Sequence, residues 1–181
     1  MAAELKNMDI DICVVSETHL KPDVPDASVN IPNYTIHRKD RNYGGANKRN
    51  KGGVAIYTRK NLTVMDVYKS KLYELICVTL FLPSEHRMLI RGLDHPPKFN
   101  YSDTELMTYL VNIFDETLDK YPVCGGDLNQ LDVDRLQSMT EWNVLVDFPT
   151  FLSYLRTPRQ LFNKPPGPIQ HLLSIHNVYQ N

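Results

Sequence analysis

The sequence has no long hydrophobic run, few cysteines, a single tryptophan and, past Asp147, no acidic residue at all. Each shortage excludes something. The longest apolar stretch, Leu75-Ile76-Cys77-Val78-Thr79-Leu80-Phe81-Leu82, is far below the roughly 20 residues a membrane-spanning helix needs, so no membrane partner is expected. Met1-Ala2-Ala3-Glu4-Leu5-Lys6 leads into no secretory apolar segment, which points to an intracellular protein, nuclear or cytoplasmic and not secreted. Cys13 and Cys77 lie inside apolar runs, Cys124 ends a shorter one, and the three stand at no metal-ligand spacing. They read as buried free thiols in a reducing compartment, not as a zinc site. With no acid past Asp147, the tail cannot supply a carboxylate to orient an imidazole or to ligate a cation.

What is present is a globular composition. At 181 residues, 42% hydrophobic and 23% charged, the chain is long enough for one domain with a sizeable core, or for part of a larger one. The net charge of −1 hides an uneven distribution. Arg38 to Lys60 holds eight basic residues and one acid, Asp40, a net +7; Phe151 to Asn181 adds +3, and the remainder carries −11. A local excess of this kind inside a neutral domain favours contact with a polyanion.

Hydrophobic patterning predicts an α/β fold with helices packed on sheets. Asp11 to Glu17 reads as a buried strand ending at a carboxylate. Residues 21–51 read as a long polar loop. Strands are predicted from Gly52 to Tyr57, Leu62 to Val67, Glu74 to Leu82 and Met88 to Gly92, the last stopped by Pro96-Pro97. Ser102 and Glu105 form a capping-box signature ahead of Leu106, Leu110, Ile113, Phe114 and Leu118 at helical spacing, with Pro122 as the stop. A short helix over Val133 to Met139 and a strand over Val144 to Val146 follow. Five of the twelve prolines crowd into Pro149 to Pro168, so 1–150 is read as the domain and 151–181 as a proline-rich, weakly ordered tail.

Two predicted strand ends carry carboxylates, Glu17 and Asp127. A hard divalent cation is commonly held by one or two carboxylates plus water, and Asn129 is an amide able to donate to a phosphate oxygen. Gly125-Gly126-Asp127-Leu128-Asn129 alone is usually just a turn, and a solvated acid at a strand end is common.

The order of five blocks decides for a resemblance. Ser16-Glu17-Thr18-His19-Leu20, the basic loop into Gly52-Gly53-Val54-Ala55-Ile56-Tyr57, His95-Pro96-Pro97, Gly125-Gly126-Asp127-Leu128-Asn129 and Leu145-Val146-Asp147-Phe148-Pro149-Thr150 occur in sequence. Together they resemble the endonuclease domain of non-LTR retrotransposons, in the endonuclease/exonuclease/phosphatase superfamily with deoxyribonuclease-I-like and apurinic endonucleases. The resemblance spans about residues 5 to 150. It implies a four-layered α/β sandwich with two central mixed sheets. It also implies hydrolysis of DNA phosphodiesters by in-line attack of water with Mg²⁺ or Mn²⁺, and no small-molecule cofactor. Carried over, Glu17 is the metal ligand, Asp127 activates water, Asn129 holds the phosphate, and His176 is the weak counterpart of the closing histidine. Arg38, Lys39, Arg41, Lys48, Arg49 and Lys51 would follow the DNA backbone, a salt-sensitive contact that reads no sequence.

The departures are as informative. The family's first core strand and its active-site Asn have no counterpart, so the fold is expected to be incomplete at its N-terminal strand and at its C-terminal end. A lost central strand exposes unpaired ladders. Asp94 stands where the family has Tyr, and whether it substitutes as a ligand stays open. Arg156 stands where an Asp orients the catalytic His, and Ser174-Ile175-His176 has Ile175 for the Asp of the closing motif. These losses predict a strongly impaired or inactive nuclease. The alternatives are a non-catalytic nucleic-acid-binding module and a non-functional remnant of a mobile element.

Overall fold

The computed structural model describes residues 1–7, 9–41, 52–82, 87–96, 101–113, 120–129, 131, 143–146, 153–156 and 171–176, the last three stretches and 120–122 as backbone. In chain order the elements are α1 (Ala2–Asn7), β1 (Ile12–Ser16), a 3₁₀ turn (Asp26–Val29), β2 (Tyr34–Lys39), β3 (Val54–Arg59), β4 (Thr63–Lys69), β5 (Leu75–Phe81), β6 (Arg87–Asp94), α2 (Asp103–Asn112), β7 (Lys120–Asp127), β8 (Asn143–Val146), β9 (Ser153–Arg156) and β10 (His171–His176). They form two five-stranded sheets, one in the order β2-β3-β1-β10-β9 and the other β4-β5-β6-β7-β8.

Period-two alternation builds the layers. Ile12, Val14, Val54, Ile56, Ile76, Val78, Leu80, Met88, Ile90 and Val123 point between the sheets and form one dry core. Their neighbours point outward. Cys13, Val15, Ala55 and Tyr57 pack beneath Leu5 of α1, while Leu75, Cys77, Leu89, Leu93 and Cys124 pack beneath Leu106, Met107 and Leu110 of α2. Helix, sheet, sheet and helix make the four layers of the expected sandwich, with both sheets mixed in strand direction. All three cysteines are buried thiols outside any disulfide, and burial pushes the Cys124 thiol up to about 12.

The capping box of α2 is present in full: Ser102 Oγ accepts from the Glu105 N–H at 3.2 Å, and Glu105 Oε2 accepts from the Ser102 N–H at 2.6 Å. This helix is the crossover that brings β7 back parallel to β6. Pro122, expected to stop the helix, instead lies within β7. It pairs with Leu89 of β6 but precedes Val123, where β8 joins, so its missing N–H falls outside that second ladder.

Three other expectations change. The loop read over 21–51 contains β2, an edge strand in which Tyr34 is buried, Thr35 exposed and the rest half-covered; its polar residues hide it among prolines and cations. The tail over 151–181 contributes β9 and β10, and β10 sits inside the first sheet, parallel to β1. β10 has backbone ladders on both sides, to β1 and β9, and β9 closes the edge of the sheet. Consequently β1 is paired on both sides, by β3 and β10, and the unpaired ladders expected of a lost strand are not found on it. The helix read over Val133 to Met139, and positions Phe114 and Leu118, lie outside the described residues. Among the described residues no helix is long and apolar enough to cross a membrane.

Candidate active site

Parallel pairing gathers strand ends at one edge of the sandwich. β6 and β7 finish in register, with Asp94 opposite Asp127. Both residues continue the inward-facing parity, Ile90-Gly92-Asp94 on one strand and Val123-Gly125-Asp127 on the other, so both come to lie at the mouth between the sheets. β1 ends at Ser16, and Glu17 turns off the strand with φ 51°. The backbone N–H of Glu17 donates to Asp94 Oδ2 at 3.3 Å. Oxygens of Glu17, Asp94 and Asp127 thus all lie within 4.8 Å of one another.

The glycines before Asp127 are strand residues and not a turn. Gly126 has φ 127°, and a Cβ there would run into the backbone carbonyl of Leu93. Only glycine lets β7 approach β6 this closely while carrying Asp127 to its end. Beyond it, Asn129 (φ 45°) donates its backbone N–H to Asp127 Oδ1 at 3.0 Å and its side-chain Nδ2 to the carbonyl of His95 at 2.5 Å. The N–H of His95 in turn donates to the carbonyl of Asp127 at 2.8 Å. Asp127 and Asn129 are therefore fixed side by side, with one N–H of the Asn129 amide left over after His95 is served.

Glu17 is held from the other side. Its Oε2 lies 2.5 Å from His19 Nε2. Thr18 and His19 donate their backbone N–H groups to the carbonyls of Gly53 and Gly52 at 3.1 and 2.9 Å, which ties the segment after β1 to the start of β3. Gly53 N–H donates to Glu74 Oε2 at 2.9 Å, and Arg41 pairs with Glu74 Oε1.

Asp94 is fully buried. Burial, then the charges of Glu74 and Glu17, push its carboxyl up to about 8, against the opposing pull of Arg41. Among the described residues its Oδ1 accepts no hydrogen bond, and Arg41 Nη2 lies 3.9 Å away. A crowded carboxylate cluster with a buried, unbonded oxygen is the donor set a hard divalent cation takes, and the residues present fit such an ion.

His95, also buried, keeps its ring against Tyr101 and Asp103, and burial lowers its pKa. The backbone of His176 lies opposite Ser16 in the β10–β1 ladder, one residue from Glu17. Sequence reasoning brought Glu17, Asp127 and Asn129 together but gave no place to Glu74, His19 or the His95 carbonyl. Continuing the alternation of β6 two residues past Gly92 was the signal for Asp94.

The basic segment is placed differently from a free phosphate track. Arg38 lies 3.1 Å from Asp26 and 3.4 Å from Asp40, and it donates to the carbonyl of Val24 at 2.6 Å. Arg41 is committed to Glu74. Lys39 is half-buried, and burial lowers its pKa. Lys48, Arg49 and Lys51 lie outside the described residues.

Comparison with known proteins identifies the fold. The structure is similar to the human Nocturnin catalytic domain with bound sulfate anion, at a TM-score of 0.54 and 14% identity over 93% of this chain and 70% of that one. It is also similar to truncated Caenorhabditis elegans TDP2, at a TM-score of 0.50 and 17% identity over 74% of this chain. The match spans 55% of that TDP2 chain. No family model and no curated protein matches the sequence. The chain has the deoxyribonuclease-I-like fold.

Proposed function

We propose that this chain is a metal-dependent DNA endonuclease domain of the retrotransposon type, with hydrolytic capacity reduced by the replacement of several site residues. The observation that carries this reading is the convergence of Glu17, Asp127 and Asn129 at one mouth of the sandwich. Glu17, with the acidic cluster around it, would hold Mg²⁺ or Mn²⁺. When bound, such a cation stabilises charge on a phosphoryl group under attack and lowers the pKa of water.

The protein's own groups would do the rest. Asp127, oriented by the Asn129 N–H on its Oδ1, would accept a hydrogen bond from the attacking water. The remaining N–H of the Asn129 amide would steady a non-bridging phosphate oxygen. His176, registered beside Ser16, is the candidate acid at the leaving oxygen, and no carboxylate past Asp147 is available to orient it. Loss of one positioned donor commonly costs on the order of 10²- to 10³-fold in rate, which supports impairment.

Nicking of supercoiled plasmid in Mg²⁺ or Mn²⁺ tests the proposal, with Glu17→Gln as control. Wild-type protein should nick faster than the variant. If the two are equal, hydrolysis is not a property of this chain, and the net +7 segment favours a DNA-binding module whose affinity falls steeply with salt.

A further inference from the structure

We propose that Asp94 is a direct ligand of a divalent cation, shared with Glu17 and Asp127, so that this chain has a three-carboxylate metal site between the ends of its two sheets. The inference rests on the cation-dependent reading above and extends it to a residue that takes the place of a tyrosine in the resembling family.

Geometry carries it. Two ligand oxygens on one ion can be separated by at most twice the metal–oxygen distance, about 4.2 Å for Mg²⁺ and about 4.8 Å for Ca²⁺. The oxygens of Glu17, Asp94 and Asp127 already lie within 4.8 Å of one another, close enough for one ion to gather all three by small side-chain adjustments. Asp94 is 0% exposed, and among the described residues its Oδ1 has no hydrogen-bond donor. Arg41, at 3.9 Å, is beyond hydrogen-bond reach and is already paired with Glu74. The other oxygen, Oδ2, accepts the Glu17 N–H at 3.3 Å, which fixes the group's direction before any ion arrives.

A buried oxygen without a donor is costly unless a cation or a proton answers it. A shared proton is the competing account, and it predicts no dependence of metal affinity on Asp94. Three carboxylates also shift selectivity. Mg²⁺ keeps several waters and usually takes one or two carboxylates, whereas larger ions accept more oxygen ligands. The site should therefore favour Mn²⁺ and Ca²⁺ over Mg²⁺, and lose that preference when Asp94 is replaced.

The test is Mn²⁺ binding to the metal-free full chain, read from the electron paramagnetic resonance signal of free Mn²⁺, with circular dichroism to monitor folding. Asp94→Asn should bind Mn²⁺ at least about tenfold more weakly than wild type, since even groups that only hydrogen-bond to ligands commonly cost 10- to 100-fold. If Asp94→Asn binds as wild type does while Glu17→Gln is weakened, Asp94 is no ligand and the cation-dependent reading survives. If wild type binds no Mn²⁺ at millimolar concentration, both fall. Should Asp94→Asn not fold, anomalous scattering from Mn²⁺ in wild-type crystals decides. An ion within coordination distance of Asp94 supports the proposal, and an ion on Glu17 alone overturns it.

Discussion

The carboxylate of Asp94 accepts the backbone N–H of Glu17 at 3.3 Å, and this bond joins the end of β6 in one sheet to the end of β1 in the other. It sets how the two sheets meet at their open mouth, and it ties the chemistry of the cluster to the stability of the fold.

That tie predicts a pH dependence. With its carboxyl raised to about 8 by burial and by Glu74 and Glu17, folded Asp94 keeps a proton that the unfolded chain releases near pH 4. The folded state binds more protons in between, so Asp94's contribution to metal-free stability is full below about pH 4 and is lost as pH rises toward 8. Urea unfolding in EDTA at several pH values should show the decline, and Asp94→Asn should flatten it.

Gly126→Ala should destabilise the protein and displace Asp127. The φ of 127° is unfavourable for any side chain, and the new methyl would meet the Leu93 carbonyl. Backbone strain of this kind costs about 1–3 kcal/mol before the clash is counted. Chemical denaturation measures the loss, and weaker Mn²⁺ binding by the folded fraction would report the shift of Asp127.

Ser102→Ala removes one half of the capping box, and Ser102 Oγ is the acceptor for the Glu105 N–H. The expected cost is about 1 kcal/mol. It should appear as a lower urea midpoint with unchanged slope, because the rest of α2 stays packed through Leu106, Met107 and Leu110.

Arg38→Gln should alter folding stability more than DNA affinity. Its guanidinium serves Asp26, Asp40 and the Val24 carbonyl, so it has little left for phosphate. In a plot of log affinity against log salt its slope should match wild type. Each of Lys48, Arg49 and Lys51 that contacts phosphate should lower the slope by about 0.9 when neutralised.

The core strands were legible because Ile12-Cys13-Val14-Val15 and Leu75-Ile76-Cys77-Val78 are apolar on both faces, as strands covered on both sides must be. Ser102 and Glu105 announced α2 for an equally local reason. β2 was not legible: as an edge strand it covers one face, and Thr35, His37, Arg38 and Lys39 look like loop chemistry. Nor was the place of β10, because its partner β1 lies at the far end of the sequence and no local pattern encodes that pairing. At the site, Glu17, Asp127 and Asn129 were legible through a motif. Asp94 looked like a deviation from that motif, and its neighbours became visible only when β6 and β7 were set in register.

The position of β10 also fixes an order of events. Ile12 pairs with Leu172, and most of the described chain lies between the two partners. Contacts so distant in sequence form slowly, because a long loop must close before they return any stabilisation. The second sheet, from β4 to β8, draws on one continuous stretch of chain and can assemble while the first still waits. Asp94 and Asp127 would then stand in place early, and Glu17 would reach them with the late closure of the first sheet. On this account the proposed metal site would be completed only at the end of folding, and Mn²⁺ capture during refolding would time the final step.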